Sequence, residues 1–597
     1  MPPGGDRDTL LPRNILVCVA WPYVNNDPHL GHVAGASLPA DIFARYHRLA
    51  GNRVAMVSGS DMHGTPTLLR ARDEGKDPLE VASRYHDSHK STYERLGITY
   101  DLYTSTHTPN HEKVVHEVFR VLGARGYLRE GAQRMPFSVT ENRFLSDRFV
   151  EGVCPHCGKD GARGDQCDNC GRTLDPSDLI NIRSKRDGSK PVFKDTTHQF
   201  FRLPEFSDRL KAWVEAKTDW RPNVRNVTLG MLAEGLRDRP VTRDIDWGVP
   251  VPVKGYEDKR VYVWFEAVMG YLSATIEWAQ LKGTPDAWKD FWLDPRSESY
   301  YFQGKDNIPF HTIIWPAVIL GYNDATAQER GSPGSFTGRS QKLNLPTDIV
   351  AQEFLNLGGG KFSKSKGNAV WVPDYLTRYD PEPLRYYLTS VSPETSDTEF
   401  TWEGFLAANN NELVATLGNF VHRVLTITYR NFDGRVPQPG PLGPAEEAAL
   451  AACEAATKDV PAAIEARKLR EGLQAAMALA QHGNRYVDGR APWVQVKSDR
   501  PGAATTLWTA VQVVATLRSV LYPYLPFAAE KTHAMLGLKG TVLASGLNRT
   551  EVSAGTTLGE PLPLFKKLDD AIVEAENARL GFTPPAPRQA TAVGKKR

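Results

Sequence analysis

The sequence predicts an α/β protein in which a parallel sheet is interrupted by an insertion and followed by a helical domain. Apolar runs alternate with helical patterns over residues 15–60, which is typical of parallel β-α-β units. A glycine-rich, polar stretch without periodicity then covers roughly 126–250. Beyond about residue 403 the apolar spacing becomes almost wholly helical. Because 597 residues exceed what one core can bury, we expect roughly three to five domains.

The first part of the chain is expected to form a Rossmann-like sheet. Strands are predicted over 15–20 and 53–57, and the helical pattern between them reaches about Arg48. Pro39 should kink or split that helix. Open parallel sheets bind ligands at the carboxyl ends of their strands, so the turns after both strands are candidate binding segments.

The turn after the first strand contains His29-Leu30-Gly31-His32. Asp27 is a candidate N-cap, and Pro28 suits the first helical position. His29 and His32 would then share a face of the first turn, where backbone N–H groups and the positive helix end favour an anion. Taken alone, such a segment is more often an ordinary helix start.

A second motif, Lys361-Phe362-Ser363-Lys364-Ser365, follows three consecutive glycines. Ammonium groups and hydroxyls on a glycine hinge suit a polyphosphate whose charge grows in a transition state. Taken alone, it would be a solvated basic loop. The two motifs in this order resemble the HIGH and KMSKS signatures of class I aminoacyl-tRNA synthetases.

Four of the six cysteines form two CxxC turns, Cys154/Cys157 and Cys167/Cys170, with nine residues between them. Two such turns can present four thiolates to one tetrahedral Zn²⁺ and leave no open position for catalysis. A structural zinc knuckle is therefore predicted rather than a redox pair. Cys18 and Cys453 are expected to be single buried thiols, which suits a reducing cytoplasm better than a disulfide framework.

Composition excludes some classes of protein. The charged fraction of 24% and the hydrophobic fraction of 41% are those of a globular protein, and no apolar stretch approaches the length of a membrane span. The polar first ten residues lack a signal-peptide core, so a cytoplasmic protein is expected. The net charge of +2 neither demands nor excludes a nucleic-acid partner.

Over about residues 14–570 the chain resembles the methionyl-tRNA synthetase family. The similarity rests on specific segments spread along the chain. They are AWPYVNNDPHLGH, GSDMHGTP, CPHCGKDGARGDQCDNCG, TRDIDWGVPVP, VYVWFEAVMGY, GKDNIPFHTIIWPA, GGGKFSKSKGN, TLGNFVHRV and NRYVDGRAPW.

The resemblance implies a two-step reaction. L-Methionine is activated with Mg²⁺-bound ATP to methionyl-adenylate and pyrophosphate, and methionine is then transferred to the 3′ end of tRNA(Met), including initiator tRNA. No covalent enzyme intermediate is needed, so catalysis would rest on positioning and charge stabilisation.

The resemblance also implies roles for individual residues. ATP would be contacted by His29, His32, Lys361, Ser363, Lys364 and Asp306, with Arg243 near the reacting groups. The methionine pocket would comprise Trp21, Tyr23, Asp61, Trp264, Ala267, Tyr271, Phe310, His311 and Trp315, with Asp61 accepting the substrate ammonium. Ring edges hold a polarizable thioether well, although core packing would explain any single ring. An anticodon base would be held by Asn419, Arg423 and Trp493, the last by stacking.

The sequence departs from the family pattern at several positions. Phe362 replaces the usual Met of KMSKS, and Val268 stands where many members have Pro. Ser184 and Asp187 occupy the place of a further CxxC found in some members, so one zinc is expected rather than two. The chain lacks the appended oligonucleotide-binding domain that many dimeric members use, so a monomer is expected.

These observations predict a split catalytic domain and a helical anticodon-binding domain. The predicted boundaries are an N-terminal extension over 1–13, the Rossmann-like halves over 14–125 and 246–330, the zinc-knuckle insertion over 126–245, a stem-contact region with the KFSKS loop over 331–402, the anticodon-binding domain over 403–560, a C-terminal helix over 561–582 and a disordered basic tail over 583–597.

Two other functions stay open at this point. The chain could be a ligase for another apolar amino acid or for cysteine, or a non-ligating paralogue that binds RNA or an adenylated metabolite. The aromatic pocket and the anticodon trio argue against the first alternative, and the intact HLGH and KFSKS motifs argue against the second.

Overall fold

A computed structural model describes residues 12–145, 149–164, 167, 169–170, 172, 174–325, 342–357, 360–361, 369–547 and 551–581. The chain divides into two compact units. Unit 1 contains the described residues up to Pro28 and those of Gly35–Glu353. Unit 2 contains His29–Ala34 and the described residues from Phe354 onward.

The core of unit 1 is a parallel five-stranded sheet. Its strands are β1 (Asn14–Val19), β2 (Arg53–Ser60), β3 (Leu102–Ser105), β4 (Glu298–Gly304) and β5 (Asp348–Gln352), in the order β5-β4-β1-β2-β3. The predicted strands at 15–20 and 53–57 are thereby confirmed. The chain leaves β1 toward β2 and returns on its other side as β4, so the order reverses at β1. Ligand crevices open at such a reversal.

The segment between β1 and β2 is divided as Pro39 predicts. A single turn over Leu30–His32 is followed by a π-helical stretch over Val33–Ser37 and an α-helix over Leu38–Leu49. Pro39 lies in the first turn of that α-helix, directly after the π-helical stretch, and such a local change of helix type accommodates a residue that has no N–H to donate.

Helices flank the parallel sheet of unit 1. The α-helices are Thr65–Glu74, Pro78–Arg95, Pro109–Ala124, Ser207–Glu215, Pro222–Glu234, Val263–Glu266, Gly270–Leu281, Lys289–Trp292 and Trp315–Asn323. A π-helical stretch covers Phe310–Ile314, and 3₁₀ turns cover Pro176–Asp178, Leu203–Phe206, Ala267–Met269 and Lys305–Asn307. One hydrophobic core joins β1, β2, β4 and β5 to residues of these helices.

The insertion between β3 and β4 is largely antiparallel. A four-stranded sheet has the order Arg239–Pro240, Val192–Phe201, Leu128–Ser138, Arg143–Phe144, and a three-stranded sheet has the order Ala162–Arg163, Val150–Val153, Ile180–Ser184. Thr242–Arg243 pairs with Arg260–Val261. The run 261–264 has the composition of a strand, but only Arg260–Val261 is one, because the chain turns into the helix Val263–Glu266 directly afterwards.

Unit 2 is mainly helical. Its described strands are Leu355–Leu357, Gly360–Lys361 and Thr398–Phe400. Its helices are Leu30–His32, Val372–Tyr375, Pro381–Ser390, Trp402–Ala407, the π-helical Ala408–Gly418, Asn419–Asn431, Pro444–Glu465, Leu469–Arg490, Pro492–Ser498, Arg500–Leu521, Pro526–Met535, Val542–Ser545 and Ala571–Arg579. The sequence places two sets of apolar residues at helical spacing in this unit. In the first, Leu413, Leu417, Phe420 and Val424 are buried but Ile427 is partly exposed, and in the second Leu469, Leu473, Met477 and Ala480 are all buried.

Some predictions fall outside the described residues. These include Phe362, Ser363 and Lys364 of the KFSKS segment and the tail from Thr583. For Lys361 only the backbone is described, in the strand Gly360–Lys361. Among the helices that the structure describes, none is both long enough and apolar enough to cross a membrane.

Candidate active site

Four of the predicted site residues of unit 1 follow the carboxyl ends of three neighbouring strands. Trp21 and Tyr23 follow β1, Asp61 follows β2, and Asp306 lies in the 3₁₀ turn after β4. The strand order reverses at β1, so these turns meet where a parallel sheet opens a crevice. The fold therefore brings together segments that are far apart in the sequence.

Asp61 is held in place by the backbone of the neighbouring turn. It forms a parallel bridge with Tyr23, and its N–H donates to the carbonyl of Pro22 at 2.9 Å. The side-chain Oδ1 accepts a hydrogen bond from the N–H of His63 at 3.3 Å. Asp61 is 3% exposed, and a buried carboxylate is suited to a cationic partner.

The Trp21 ring occupies a narrow space between two glycines. An added Cβ at Gly59 would lie 2.5 Å from the ring, and one at Gly270 would lie 2.8 Å from it. Tyr23 is similarly close to Gly64, where a Cβ would meet the ring at 2.0 Å. The absence of side chains at these three positions lets both rings pack directly against backbone.

A chain of aromatic contacts extends from Tyr23. Its ring meets Trp264 edge to face with centroids 5.6 Å apart, and Trp264 stacks on Phe310 at 4.3 Å. Ala267, from the same segment as Trp264, is half-buried. All four residues retain some exposure, which distinguishes them from the fully enclosed core. Such ring edges and faces can contact a thioether.

Tyr271 and His311 form a buried polar pair beside Trp21. The Tyr271 hydroxyl is 2.7 Å from His311 Nε2, and His311 Nδ1 lies 2.9 Å from the carbonyl of Asn307. Burial lowers the pKa of His311 to about 4, so the ring is neutral and offers one donor and one acceptor. Trp21 meets Tyr271 edge to face at 6.4 Å.

Trp315 belongs to the layer behind this pair. It is fully buried, and its Nε1 donates to the Tyr301 hydroxyl at 3.0 Å. Tyr301 in turn packs edge to face on Tyr271 at 5.2 Å. Trp315 therefore supports the predicted pocket through Tyr301, and core packing accounts for its burial.

Arg243 and Asp306 differ in their surroundings. Arg243 Nη1 donates to the carbonyls of Pro240 and Thr242 at 2.9 and 3.0 Å, and its guanidinium lies over the Tyr262 ring at 3.8 Å. These contacts fix the guanidinium by stacking and hydrogen bonding. Asp306 is exposed at the start of its turn.

The HLGH segment, in unit 2, corrects one prediction. The helix begins at Leu30 with His29 as its N-cap, and His29 Nδ1 accepts from the N–H of Gly31 at 3.1 Å. Asp27 is not the cap, because its carboxylate accepts a hydrogen bond from Ser88 Oγ at 2.5 Å. The rings of His29 and His32 stack with centroids 3.9 Å apart, which confirms that they share a face.

The four knuckle cysteines come together. Their sulfur atoms all lie within 4.8 Å of one another, with Cys154 and Cys170 at 3.9 Å and Cys157 and Cys167 at 3.7 Å. Four thiolates about 2.3 Å from a tetrahedral zinc would lie about 3.8 Å apart. A hydrogen bond from the backbone of Lys159 helps to lower the pKa of Cys157 to about 6. The cluster is thus compatible with a structural metal.

Ser184 and Asp187, which stand where some family members have a further CxxC, belong to a polar turn. Asp187 Oδ1 accepts from the N–H and the hydroxyl of Ser189 at 3.0 and 2.7 Å. Ser184 closes the same turn, since its carbonyl accepts from the N–H of Gly188 at 2.9 Å. Hydrogen bonds within the chain thus close this turn.

The predicted anticodon residues lie near one another in unit 2. Arg423 and Asn419 belong to the helix Asn419–Asn431, and Trp493 belongs to the short helix Pro492–Ser498. The Arg423 guanidinium lies 5.4 Å from the Trp493 ring centroid. Asn419 and Trp493 are exposed, so core packing does not explain this tryptophan.

Sequence reasoning missed a buried network in unit 1. Glu266 is wholly buried, with Oε1 2.8 Å from His63 Nδ1 and Oε2 2.5 Å from His111 Nε2. These residues are separated by 203 and 155 positions, so no local pattern joins them. The one available signal is that Glu266 is a lone acid in the apolar segment VYVWFEAVMGY, where an ionisable group is expected to be paired.

Comparison with known proteins gives two family matches. The family described as class I tRNA synthetases (M) matches residues 15–425. The anticodon-binding domain of methionyl tRNA ligase matches residues 436–583. A methionine–tRNA ligase of Thermomicrobium roseum is 48% identical over 596 residues, covering 96% of this chain and 99% of that protein. The chain belongs to the methionyl-tRNA synthetase family.

Further relatives agree with this assignment. A methionine–tRNA ligase of Dehalococcoides mccartyi is 49% identical over 571 residues, covering 96% of this chain and all of its own. The solved Mycobacterium tuberculosis methionyl-tRNA synthetase in complex with methionyl-adenylate is 26% identical with a TM-score of 0.74, covering 93% of this chain and 99% of its own. The resemblance drawn from the motifs is therefore confirmed, and the protein is a class I methionine–tRNA ligase.

Proposed function

We propose that unit 1 binds L-methionine at the edge where β1 and β2 end. The observation that carries this proposal is the buried Asp61 carboxylate beside a set of partly exposed aromatic rings. Asp61 would accept the substrate ammonium, since a buried carboxylate gains most from a charged donor. Trp21, Tyr23, Trp264 and Phe310 would contact the thioether, with Tyr271 and His311 behind them.

The first step joins methionine to AMP. An oxygen of the methionine carboxylate attacks the α-phosphorus of Mg²⁺-bound ATP, and the bond to the bridging oxygen of pyrophosphate breaks. His29 and His32 would contact the phosphates, and Lys361 and Lys364 would stabilise the departing pyrophosphate. Ser363 would add a hydroxyl donor to the phosphates. Asp306 would bind the adenosine side, and Arg243 would lie near the reacting groups.

The second step transfers methionine to tRNA(Met). A terminal ribose hydroxyl of the tRNA attacks the activated carbonyl, and AMP leaves with the electron pair of the broken bond. Asn419, Arg423 and Trp493 would select the tRNA by its anticodon. Support for this comes from the exposed Trp493 ring under the Arg423 guanidinium, because unstacked bases bind aromatic planes and guanidinium groups.

The metal of the knuckle cluster is proposed to be one Zn²⁺. The thiol donor set and the sulfur separations support zinc, for which four sulfur ligands are typical of a structural site. Bound there, Zn²⁺ would cross-link the two CxxC turns, and it has no part in the reaction. The single-zinc stoichiometry, the monomeric state and a cytoplasmic location remain predictions.

A pyrophosphate-exchange assay across the amino acids tests the function. Exchange should require methionine and should be weak with other apolar amino acids and with cysteine. Asp61→Asn should raise the KM for methionine by roughly 10²-fold, because a charged hydrogen bond is lost at a buried site, while the KM for ATP should change little. Exchange that depends on another amino acid would overturn the proposal.

A further inference from the structure

The buried network behind the proposed methionine pocket consists of His63, His107, His111, Glu266 and Ser273. His107 is exposed at one end, and its Nδ1 lies 3.0 Å from His63 Nε2. At the other end His111 Nδ1 lies 2.9 Å from Ser273 Oγ. Glu266 is the centre, because its two oxygens bond to His63 and His111. His63, His111, Glu266 and Ser273 are each at most 4% exposed.

One arm of the network leads to the proposed ammonium acceptor. His63 comes two residues after Asp61, and its backbone N–H donates to Asp61 Oδ1 at 3.3 Å. The His63 ring is fixed by Glu266 on one nitrogen and by His107 on the other. Because ring and backbone belong to one residue, fixing the ring restrains the turn that carries Asp61.

The other arm leads to the opposite wall of the pocket. Ser273 Oγ contacts His111 and donates to the carbonyl of Gly270 at 3.1 Å. Gly270 is where a Cβ would meet the Trp21 ring at 2.8 Å, and Tyr271 follows it. His111 also lies beside Trp21, with ring centroids 6.3 Å apart. This arm therefore helps to fix the positions of the Trp21 and Tyr271 rings in the wall of the proposed pocket.

The protonation of the network follows from its bonds. An ionised carboxylate only accepts, so His63 Nδ1 and His111 Nε2 must both carry protons. Burial raises the pKa of Glu266, but the two imidazoles outweigh it and hold that pKa below its ordinary value.

We propose that Glu266 is the positioning residue of the methionine pocket. A single carboxylate holds the Asp61 turn through His63 and the Gly270–Tyr271 backbone through His111 and Ser273. Because Glu266 holds both sides, it fixes the distance between Asp61, which would bind the ammonium, and the aromatic residues that would contact the thioether. Glu266 touches neither substrate, and its effect is on the geometry into which methionine fits. This inference rests on the proposed methionine site.

The test is Glu266→Gln, which keeps the size of the side chain but cannot accept from both histidines. We expect the KM for methionine to rise by roughly 10- to 100-fold, the order that loss of positioning produces. The KM for ATP should stay within about threefold of wild type. Glu266→Asp, which restores the charge but shortens the arm, should recover part of the loss.

Glu117→Gln is the matched control. Glu117 is a buried glutamate on the same helix as His111, and it accepts a hydrogen bond from the Tyr322 hydroxyl at 2.5 Å. It has the same chemistry and is not part of the network, so methionine KM should not change. Equal effects of the two Gln variants on KM for methionine would overturn the inference.

A milder variant keeps the test decisive if Glu266→Gln does not fold. Ser273→Ala removes only the last hydroxyl of the network and should raise the KM for methionine several-fold without changing that for ATP. An unchanged KM for methionine in Ser273→Ala would count against the proposal. If Asp61→Asn impairs methionine binding while the network variants do not, the inference about Glu266 is wrong and the proposed methionine site still stands. If wild type shows no methionine-dependent exchange, the proposed function fails.

Discussion

The guanidinium of Arg423 lies over the indole ring of Trp493, 5.4 Å from its centroid, and is anchored by Asp488 Oδ1 at 2.7 Å and Asn484 Oδ1 at 3.2 Å. Trp493 is 40% exposed. A tryptophan that packs a core would be far less accessible. The pair therefore presents a positioned cation and an accessible aromatic surface, which is the combination that single-stranded bases bind.

Trp493→Ala should separate the two half-reactions. Pyrophosphate exchange with methionine and ATP should stay near wild type, because the ring is proposed to contact only the anticodon. Aminoacylation of tRNA(Met) should weaken by roughly 1–3 kcal/mol, the usual contribution of one base–aromatic stack. Both rates and the melting temperature should be measured on one preparation.

Trp508→Ala provides the contrast for that experiment. Trp508 is a buried tryptophan of the helix Arg500–Leu521, and its truncation should lower stability by about 3–5 kcal/mol. A lowered melting temperature with equal losses in both reactions is therefore expected of Trp508→Ala. The same pattern in Trp493→Ala would end its assignment to the anticodon.

Lys364→Ala should slow adenylate formation by about 10²–10³-fold, the order for losing one donor to developing charge. Methionine affinity should stay nearly unchanged, because the lysine is assigned to the phosphates and not to the amino acid. Single-turnover adenylate formation and equilibrium methionine binding measure the two quantities. Lys458→Ala, at an exposed lysine of the helix Pro444–Glu465, should change neither. Weaker methionine binding with a normal rate would show that the assignment is wrong.

The purified protein should contain about one zinc per chain, because four thiolates close one tetrahedral site. Cys157→Ser should lose most of that metal and speed amide exchange around residues 150–184. The exchange should rise because Cys154 and Cys167 share a small core with Leu68 and Val150. Cys453→Ser, at a buried thiol outside the cluster, should keep its zinc. Metal analysis that returns two zinc ions, or none in undamaged protein, would contradict this prediction.

Acid should destabilise unit 1 partly through His47. Burial, with help from Arg13, lowers the pKa of His47 from 6.5 to about 3. Below pH 6.5 His47 therefore binds a proton in the unfolded chain but not in the folded one, and stability falls as pH falls toward 3. Between pH 7 and pH 5 the free energy of unfolding should fall by about 2 kcal/mol from this residue.

Chemical denaturation at several pH values can isolate that contribution. His47→Gln should be less stable at neutral pH but should lose about 2 kcal/mol less between pH 7 and pH 5. His422→Gln, at a half-buried histidine of unit 2, should keep the wild-type slope for the transition of unit 1. Identical slopes for wild type and His47→Gln would show that His47 titrates normally in the folded protein.

Much of the scaffold could be predicted because its signals are local. The apolar runs of β1 and β2 and the break at Pro39 depend on neighbouring residues, and each is found within a few positions of its predicted place. The prediction that Asp27 caps the HLGH helix was wrong because the Asp27 carboxylate accepts a hydrogen bond from Ser88, which is 61 residues away. Its carboxylate was thus unavailable to the helix, and the His29 side chain took that role.

The network around Glu266 could not be predicted for a related reason. His63, His111 and Glu266 lie on three segments that only the folded sheet brings together. In the sequence no local pattern joins these three residues, and most ionisable residues are solvated. The segment VYVW shows a different limit of local patterns. Its composition is that of a strand, but the chain turns into a helix at Val263.

The position of Trp21 between Gly59 and Gly270 affects how the proposed methionine pocket can be redesigned. A larger residue at either glycine would collide with the indole, and a smaller residue at position 21 would leave a void against bare backbone. Substrate range therefore cannot be altered well by one substitution at a time. Libraries that vary positions 21, 59 and 270 together would reach compensated combinations that stepwise screening passes over.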